Sequence, residues 1–424
     1  MKFKYIKVAI FILVATVLST CLIVVSTNVE YKQTEYIEIP DNKKTETPKL
    51  YIEGDLYMKN KSEIGTFKVK YESDSIKIDK YATLKIQGST SATFEKKNYT
   101  IKFFNDEDCL DKFKVDFGWG RENKYVLKAN WVDKTHSRNI VTARLAAQVQ
   151  EKYDLFTSAP NNGLIDGFPV EVYLNDEFYG LYTLNIPKDD WLYGMDDKNP
   201  NHIIMVAEQT SPGTLFKELN TDDWVNQLDD NSPAVKKKML RLIDFAINAT
   251  DEEFRNDFEQ YFNLDATLNY YVLCHALNIA DNRAKNVIFV TYNGKVWYPT
   301  LYDLDTSFGA YYHGLELYPI DNMVKTEENT FFRRFNQLFS NEIADRYFEL
   351  RKNILSEENI IKEIDKFHSQ IEPSSLEKEQ ERWENIPGYD ITQMKDYIKE
   401  RLPYIDQLMR NKYPQGINTQ KKKI

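Results

Sequence analysis

The chain has 424 residues, of which 42% are hydrophobic and 28% charged, and it carries a formal net charge of −10. This length and composition supply a sizeable core and exclude a disordered chain. The acidic balance excludes a general nucleic-acid binder, whose surface must be basic to meet phosphates, and only three cysteines, Cys21, Cys109 and Cys274, exclude a disulfide scaffold.

In chain order, Lys2, Lys4 and Lys7 precede an uncharged apolar run over residues 8–25. As a helix this run spans about 27 Å, one hydrocarbon core. The lysine flank predicts a cytoplasmic N-terminus and an exported remainder, and a cleaved signal peptide has the same layout. Residues 1–28 therefore read as a membrane anchor or signal peptide. Residues 29–48, polar and containing Pro40 and Pro48, read as a linker, and residues 414–424, with Lys421, Lys422 and Lys423, as a basic tail.

Residues 49–232 read as β-rich. Apolar and polar residues alternate over 67–71, 83–87, 99–104 and 125–129. Segments 170–174 and 178–184 flank Asn175-Asp176-Glu177 as a hairpin, and 203–207 is a further strand. One helix interrupts the series, with Ser137 placed to cap it and Ile140, Ala143, Leu145, Ala147 and Val149 following. Residues 233–413 read as helical, over 235–249, 251–261 and 264–279 first. Strands 286–292 and 296–301 then turn at Asn293-Gly294, and helices follow near 328–338, 341–354, 357–371 and 391–409. The expected class is α+β. A β-rich N-lobe with one helix and an α-helical C-lobe carrying a small hairpin make the outline of an atypical protein-kinase-like two-lobed fold. That is an argument from architecture and does not establish activity.

The chemistry concentrates after the 264–279 segment. Asp281 and Asn286 stand five residues apart, the spacing of the kinase catalytic loop D-x-x-x-x-N. There the Asp accepts a hydroxyl proton and the Asn binds metal, while an Asp beyond a hairpin holds the metal that bridges the phosphates. Here Asp303 follows 17 residues after Asn286, across the predicted hairpin, and Asp305 is next but one. A hard divalent cation takes such carboxylate and amide oxygens and leaves positions for phosphate and water. Taken singly, each piece is as well explained by a loop or a helix cap; the order helix, loop, hairpin, paired Asp is the more specific signal. His136 and His275 lack partners at metal-ligand spacing.

Four ordered blocks between Gly88 and Gly309 resemble the CotH family of protein-kinase-like enzymes. The first is Gly88-Ser89-Thr90-Ser91, leading into Lys96-Lys97-Asn98-Tyr99-Thr100-Ile101. The second runs from Leu127-Lys128-Ala129 through Asp133 to Arg138-Asn139. Val172-Tyr173-Leu174-Asn175 with Tyr179-Gly180-Leu181-Tyr182 is the third, and Asp281, Asn286 and Tyr302-Asp303-Leu304-Asp305 through Gly309 the fourth. The resemblance implies an enzyme that binds ATP with Mg²⁺ or Mn²⁺ and phosphorylates Ser or Thr of coat, surface or secreted proteins. It makes Asp281 the catalytic-loop Asp, Asn286 and Asp303 metal ligands, and Asp305 a second ligand or an orienting group. Lys97 becomes the phosphate-binding lysine with Lys102 in reserve, and the stretch beginning at Ser89 a cradle for phosphates.

The sequence departs from the family where a Glu often follows the Y-G-L-Y hairpin: here no acid occurs between Tyr182 and Asp189. Three functions from different classes stay open. They are an active kinase, a surface or coat binding module that keeps the fold without catalysis, and a metal-dependent hydrolase built on the same acidic cluster.

Overall fold

Period-2 alternation closes the first part of the chain into a barrel. A computed structural model describes residues 46–412 apart from 59, 74–76, 89, 229–231 and 389. Its first strands are β1 (Lys49–Glu53), β2 (Gly65–Glu72), β3 (Lys77–Gln87) and β4 (Asn98–Phe104). After the short pair β5 (Val115–Asp116) and β6 (Arg121–Glu122) come β7 (Lys124–Lys128), β8 (Gly167–Leu174) and β9 (Glu177–Asn185). Seven of these close in the order β1-β2-β3-β4-β7-β9-β8, with β1 antiparallel to β2 and parallel to β8. Phe67, Val69 and Tyr71 of β2 fill the interior while Lys68 and Lys70 stay outside. Residues paired directly across a ladder share a face, so the register Lys102↔Lys124 and Lys128↔Thr183 puts all three lysines on the outer surface.

Helix α1 (Arg138–Lys152) follows the barrel strand β7 in sequence. A second sheet runs β11-β10-β12-β13, from β10 (Ile203–Ala207), β11 (Trp224–Asn226), β12 (Ile288–Thr291) and β13 (Tyr298–Thr300). Its central pairing, Met205↔Phe289, joins strands from both sides of residue 232. The expected boundary there is therefore bridged by a ladder.

The remaining helices are α2 (Pro233–Asn248), α3 (Asp251–Asn256), α4 (Leu264–Ala276), α5 (Thr330–Leu338), α6 (Ser340–Arg351), α7 (Glu357–His368), α8 (Pro373–Arg382) and α9 (Ile391–Lys412). Small polar caps start several of them. Thr250 and Glu253 form a reciprocal capping box at α3, and Asn263, Asn329 and Ser356 accept backbone N–H bonds at α4, α5 and α7. Helix α4 is buried on all sides from Ala266 onward, which makes it the axis of the helical core.

Two features differ from the sequence expectation. Helix α8 has no apolar periodicity, since Leu376 is its one aliphatic residue, yet it lies on the outside of the barrel. There Ser375 Oγ donates to the buried Glu171 at 2.8 Å and Trp383 Nε1 donates to Tyr179 O at 2.8 Å. The expected linker ends before Thr47, which is buried and bonded to Gln370 O and to Glu372. Cys109 and Cys274 are both unpaired thiols. The expected anchor over 1–28 and tail over 414–424 lie outside the described residues. Among the described residues no helix is long and apolar enough to cross a membrane.

Candidate active site

The site forms where three loops meet the outer face of β7. The loop after α4 is tied at its base by Tyr270 Oη, which donates to Asn282 O at 2.7 Å. Asn282 Nδ2 then donates to Tyr302 O at 3.1 Å, binding this loop to the segment that carries Asp303. Asn286 N donates to Ala207 O at 3.1 Å, which hangs the end of the loop on the second sheet. Within it Asn286 Nδ2 donates to Asp281 Oδ2 at 2.9 Å, so the two residues predicted from their spacing are in contact. The bond orients the Asp281 carboxylate and leaves Asn286 Oδ1 as the amide's ligand atom.

Asp303 and Asp305 are set by the start of α1. Asn139 Oδ1 accepts from Leu304 N at 3.1 Å, and Thr142 Oγ1 donates to Ser307 Oγ at 2.7 Å. That helix start is held by Asp133, not by the expected Ser137 cap. Asp133 Oδ2 accepts from Arg138 N at 2.9 Å, Oδ1 accepts from Thr135 Oγ1 at 2.6 Å, and the buried Arg138 guanidinium pairs with it. Ser137 makes no side-chain cap bond and instead contacts His368 Nε2 at 3.1 Å. Asn286 and Asp303 both take left-handed backbone, with φ of 66° and 57°. Asn and Asp tolerate this conformation best among residues with a side chain, and such backbone collects at functional sites.

Across from these carboxylates stands a lysine that sequence reasoning passed over as a site residue. Lys128 Nζ lies 2.8 Å from Asp303 Oδ1, with side-chain exposures of 16% and 32%, so the pair is partly exposed. Lys188 stands beside it, 4.7 Å from the centroid of the Tyr302 ring and 3.9 Å from Glu208 Oε1.

The charges divide the acids. Burial pushes the Asp303 carboxyl up, but Lys128, with help from Lys188 and Lys285, holds it below the usual range. Burial and the Asp303 charge push Asp305 up to about 7. Asp281 is also raised, by burial first and then by Asp303, against the pull of Lys285, Arg283 and Asn286. Burial would lower Lys128, but Asp303, Tyr302 and Asp305 outweigh it and keep it protonated. Three acids thus stand together, and Lys128 is the cation in direct contact with them. The site's donors are carboxylate and amide oxygens, which suit Mg²⁺ or Mn²⁺ with phosphate completing the shell. Among the described residues no three His, Cys, Asp or Glu side chains already form a metal cluster.

The other predicted residues lie elsewhere or outside view. Lys97 turns back and donates to Phe94 O. Lys102 is exposed on the outer face of β4, where burial and the neighbouring Lys124 and Lys112 lower its pKa. Ser89 is outside the described residues. A cavity of about 620 Å³ beside α1, lined by Trp119, Arg144, Asp166 and Phe168 among others, touches none of the candidate acids. The signal that marks Lys128 is its setting: Lys124 and Lys128 bracket Tyr125-Val126-Leu127, a strand buried on both faces, and Lys128 is the one at the end that leads toward α1.

Compared with models of protein families, residues 84–405 match the family described as CotH kinase protein. None of the curated proteins compared with the chain matches it.

Proposed function

Since the chain belongs to the CotH family over most of its length, we propose that it is a phosphotransferase that moves the γ-phosphoryl group of ATP to a Ser or Thr hydroxyl of a protein. The observation that supports this reading is that Asp281, bonded to Asn286, lies close enough to Asp303 and Asp305 for the three carboxyls to shift one another, with Lys128 bonded to Asp303. Asp303 and Asn286, with Asp305, would hold Mg²⁺ or Mn²⁺, which when bound supplies charge neutralisation across the phosphates. Lys128, in place of Lys97 or Lys102, would supply the ammonium that meets the phosphate oxygens. Asp281, oriented by Asn286 and raised by burial, accepts the proton of the attacking hydroxyl. Glu208, 3.9 Å from Lys188, would take the place of the acid missing after the Y-G-L-Y hairpin. We further propose that residues 8–25 anchor or export the chain, which places coat, surface or secreted proteins among its acceptors.

A second reading, a binding module without catalysis, draws support from the same contact, because Lys128 occupies the Asp303 oxygen that a metal needs. The full chain, incubated with γ-labelled ATP and Mg²⁺ or Mn²⁺ beside Asp303→Ala, separates the two. Label on protein that disappears in the variant supports the kinase. Free labelled phosphate without labelled protein points to a hydrolase. Absence of both transfer and metal-dependent ATP binding leaves the binding module.

A further inference from the structure

A second lysine, Lys96, bonds the backbone of the residue after the candidate one and takes no part in the chemistry above. Its ammonium is fully buried, with no side-chain exposure, against 4% for its partner Glu379. Lys96 Nζ donates to Glu379 Oε1 at 2.6 Å, to Leu181 O at 2.5 Å and to Ala129 O at 3.1 Å, and it lies 4.4 Å from the centroid of the Tyr182 ring. Glu379 Oε2 accepts from Leu181 N at 2.7 Å. One ammonium thus gathers the end of β7, the middle of β9 and helix α8.

The surroundings are built to receive this pair. A Cβ on Gly180 would come within 2.8 Å of Lys96 Cε and 3.2 Å of Glu379 Oε2, so only glycine leaves room at that point of β9. The neighbouring His136 Nε2, 3.7 Å from Glu379 Oε1, makes no hydrogen bond among the described residues, and its ring is held neutral by burial and by the Lys96 charge. A buried ion pair adds little net stability over a well-packed apolar pair. Its retention asks for a purpose other than stability, and the atom it grips supplies one. Ala129 O belongs to the residue after Lys128, and Lys128 has its backbone in the β7–β9 ladder opposite Thr183.

We infer that Lys96 and Glu379 are positioning residues: through Ala129 and Leu181 they fix the end of β7, and so hold Lys128 against Asp303. Helix α8, whose sequence carries no apolar stripe, then serves to deliver one carboxylate to the barrel wall. This inference rests on the proposed function for its catalytic meaning, but the placement of Lys128 can be tested without any phosphoryl transfer.

The test uses the full chain and trace acylation with acetic anhydride, with the labelling rate at each lysine read by mass spectrometry. In the parent, Lys128 is slowed by its ion pair relative to Lys77, whose side chain is 77% exposed. Glu379→Gln should raise the Lys128 rate at least about fivefold while leaving Lys77 unchanged. Because the single variant strands a buried ammonium, the pair Lys96→Met/Glu379→Leu is made alongside it. Removing both charges restores a compact barrel but not the grip on Ala129 O, so Lys128 should still label fast. A Lys128 rate within twofold of the parent in a folded double variant would overturn the inference and leave the pair a packing feature. If the parent transfers no phosphate at all, the kinase reading fails and the labelling result still decides the positioning.

Discussion

Replacing Lys128 by Met should separate metal binding from catalysis in opposite directions. In the structure the ammonium lies 2.8 Å from Asp303 Oδ1 and competes for the oxygen that a cation would take. At that distance two unit charges attract by about 6 kcal/mol at an effective dielectric of about 20. About a third of Asp303 faces solvent (32%), so after desolvation and screening the net contribution is about 1–2 kcal/mol. Without the lysine, Mn²⁺ alone should therefore bind about 5- to 30-fold more tightly, because each 1.4 kcal/mol is a factor of ten. Phosphoryl transfer should nevertheless fall by about 10²- to 10³-fold, the loss typical for removing one charge-stabilising group. Titrating the nucleotide-free chain with Mn²⁺ by electron paramagnetic resonance gives the first quantity, and labelled ATP the second. Weaker Mn²⁺ binding in Lys128→Met would refute the reasoning, since it would mean that Lys128 supports the metal ligands instead of competing for them.

The remaining predictions concern pH and stability. Asp305 is raised from 3.8 to about 7. The folded state therefore binds more protons than the unfolded one between those values, and this group's contribution to stability is full below pH 4 and lost as pH rises through 7. Binding of a divalent cation should show the opposite trend, tightening with pH through 7, and Asp305→Asn should flatten that dependence in a Mn²⁺ titration. Arg138→Met leaves the buried Asp133 without its guanidinium partner and should cost about 3 kcal/mol in a denaturant titration; a cost under about 1 kcal/mol would show that the helix N–H and Thr135 suffice. Gly180→Ala forces a Cβ onto Lys96 and Glu379 and should destabilise by about 1–3 kcal/mol in the same assay, whereas unchanged stability would mean that the pair yields freely.

Much of the fold is legible in the residues because its signals are local. Alternation marks β2, β3, β4 and β7, and the Asn293-Gly294 turn marks the β12–β13 hairpin. The Asp281–Asn286 contact follows from a spacing of five within one loop. Closure of the barrel is not local: it needs β1 to lie parallel to β8, more than a hundred residues away, and no periodicity encodes that partner. Ser137 shows the limit of cap rules, since Asp133 reaches the same helix start through a turn and displaces it.

The sequence by itself therefore determines most of the longer strands and helices, and which loop carries the paired acids, because each depends on neighbours a few residues apart; the short strands β1, β5, β6 and β11 and helix α8 came only with the tertiary structure. Which lysine meets them was decided only by tertiary structure. Lys97, Lys102 and Lys128 all stand on or beside strands with similar local patterns. The ladder register and the Lys96–Glu379 grip bring Lys128 to Asp303, while Lys102 stays on the exposed wall of the barrel. Helix α8 escaped notice for the same physical reason: what it buries is the charged Glu379 and the hydroxyl of Ser375, and a buried polar contact is specified by its distant partner and not by the residues beside it.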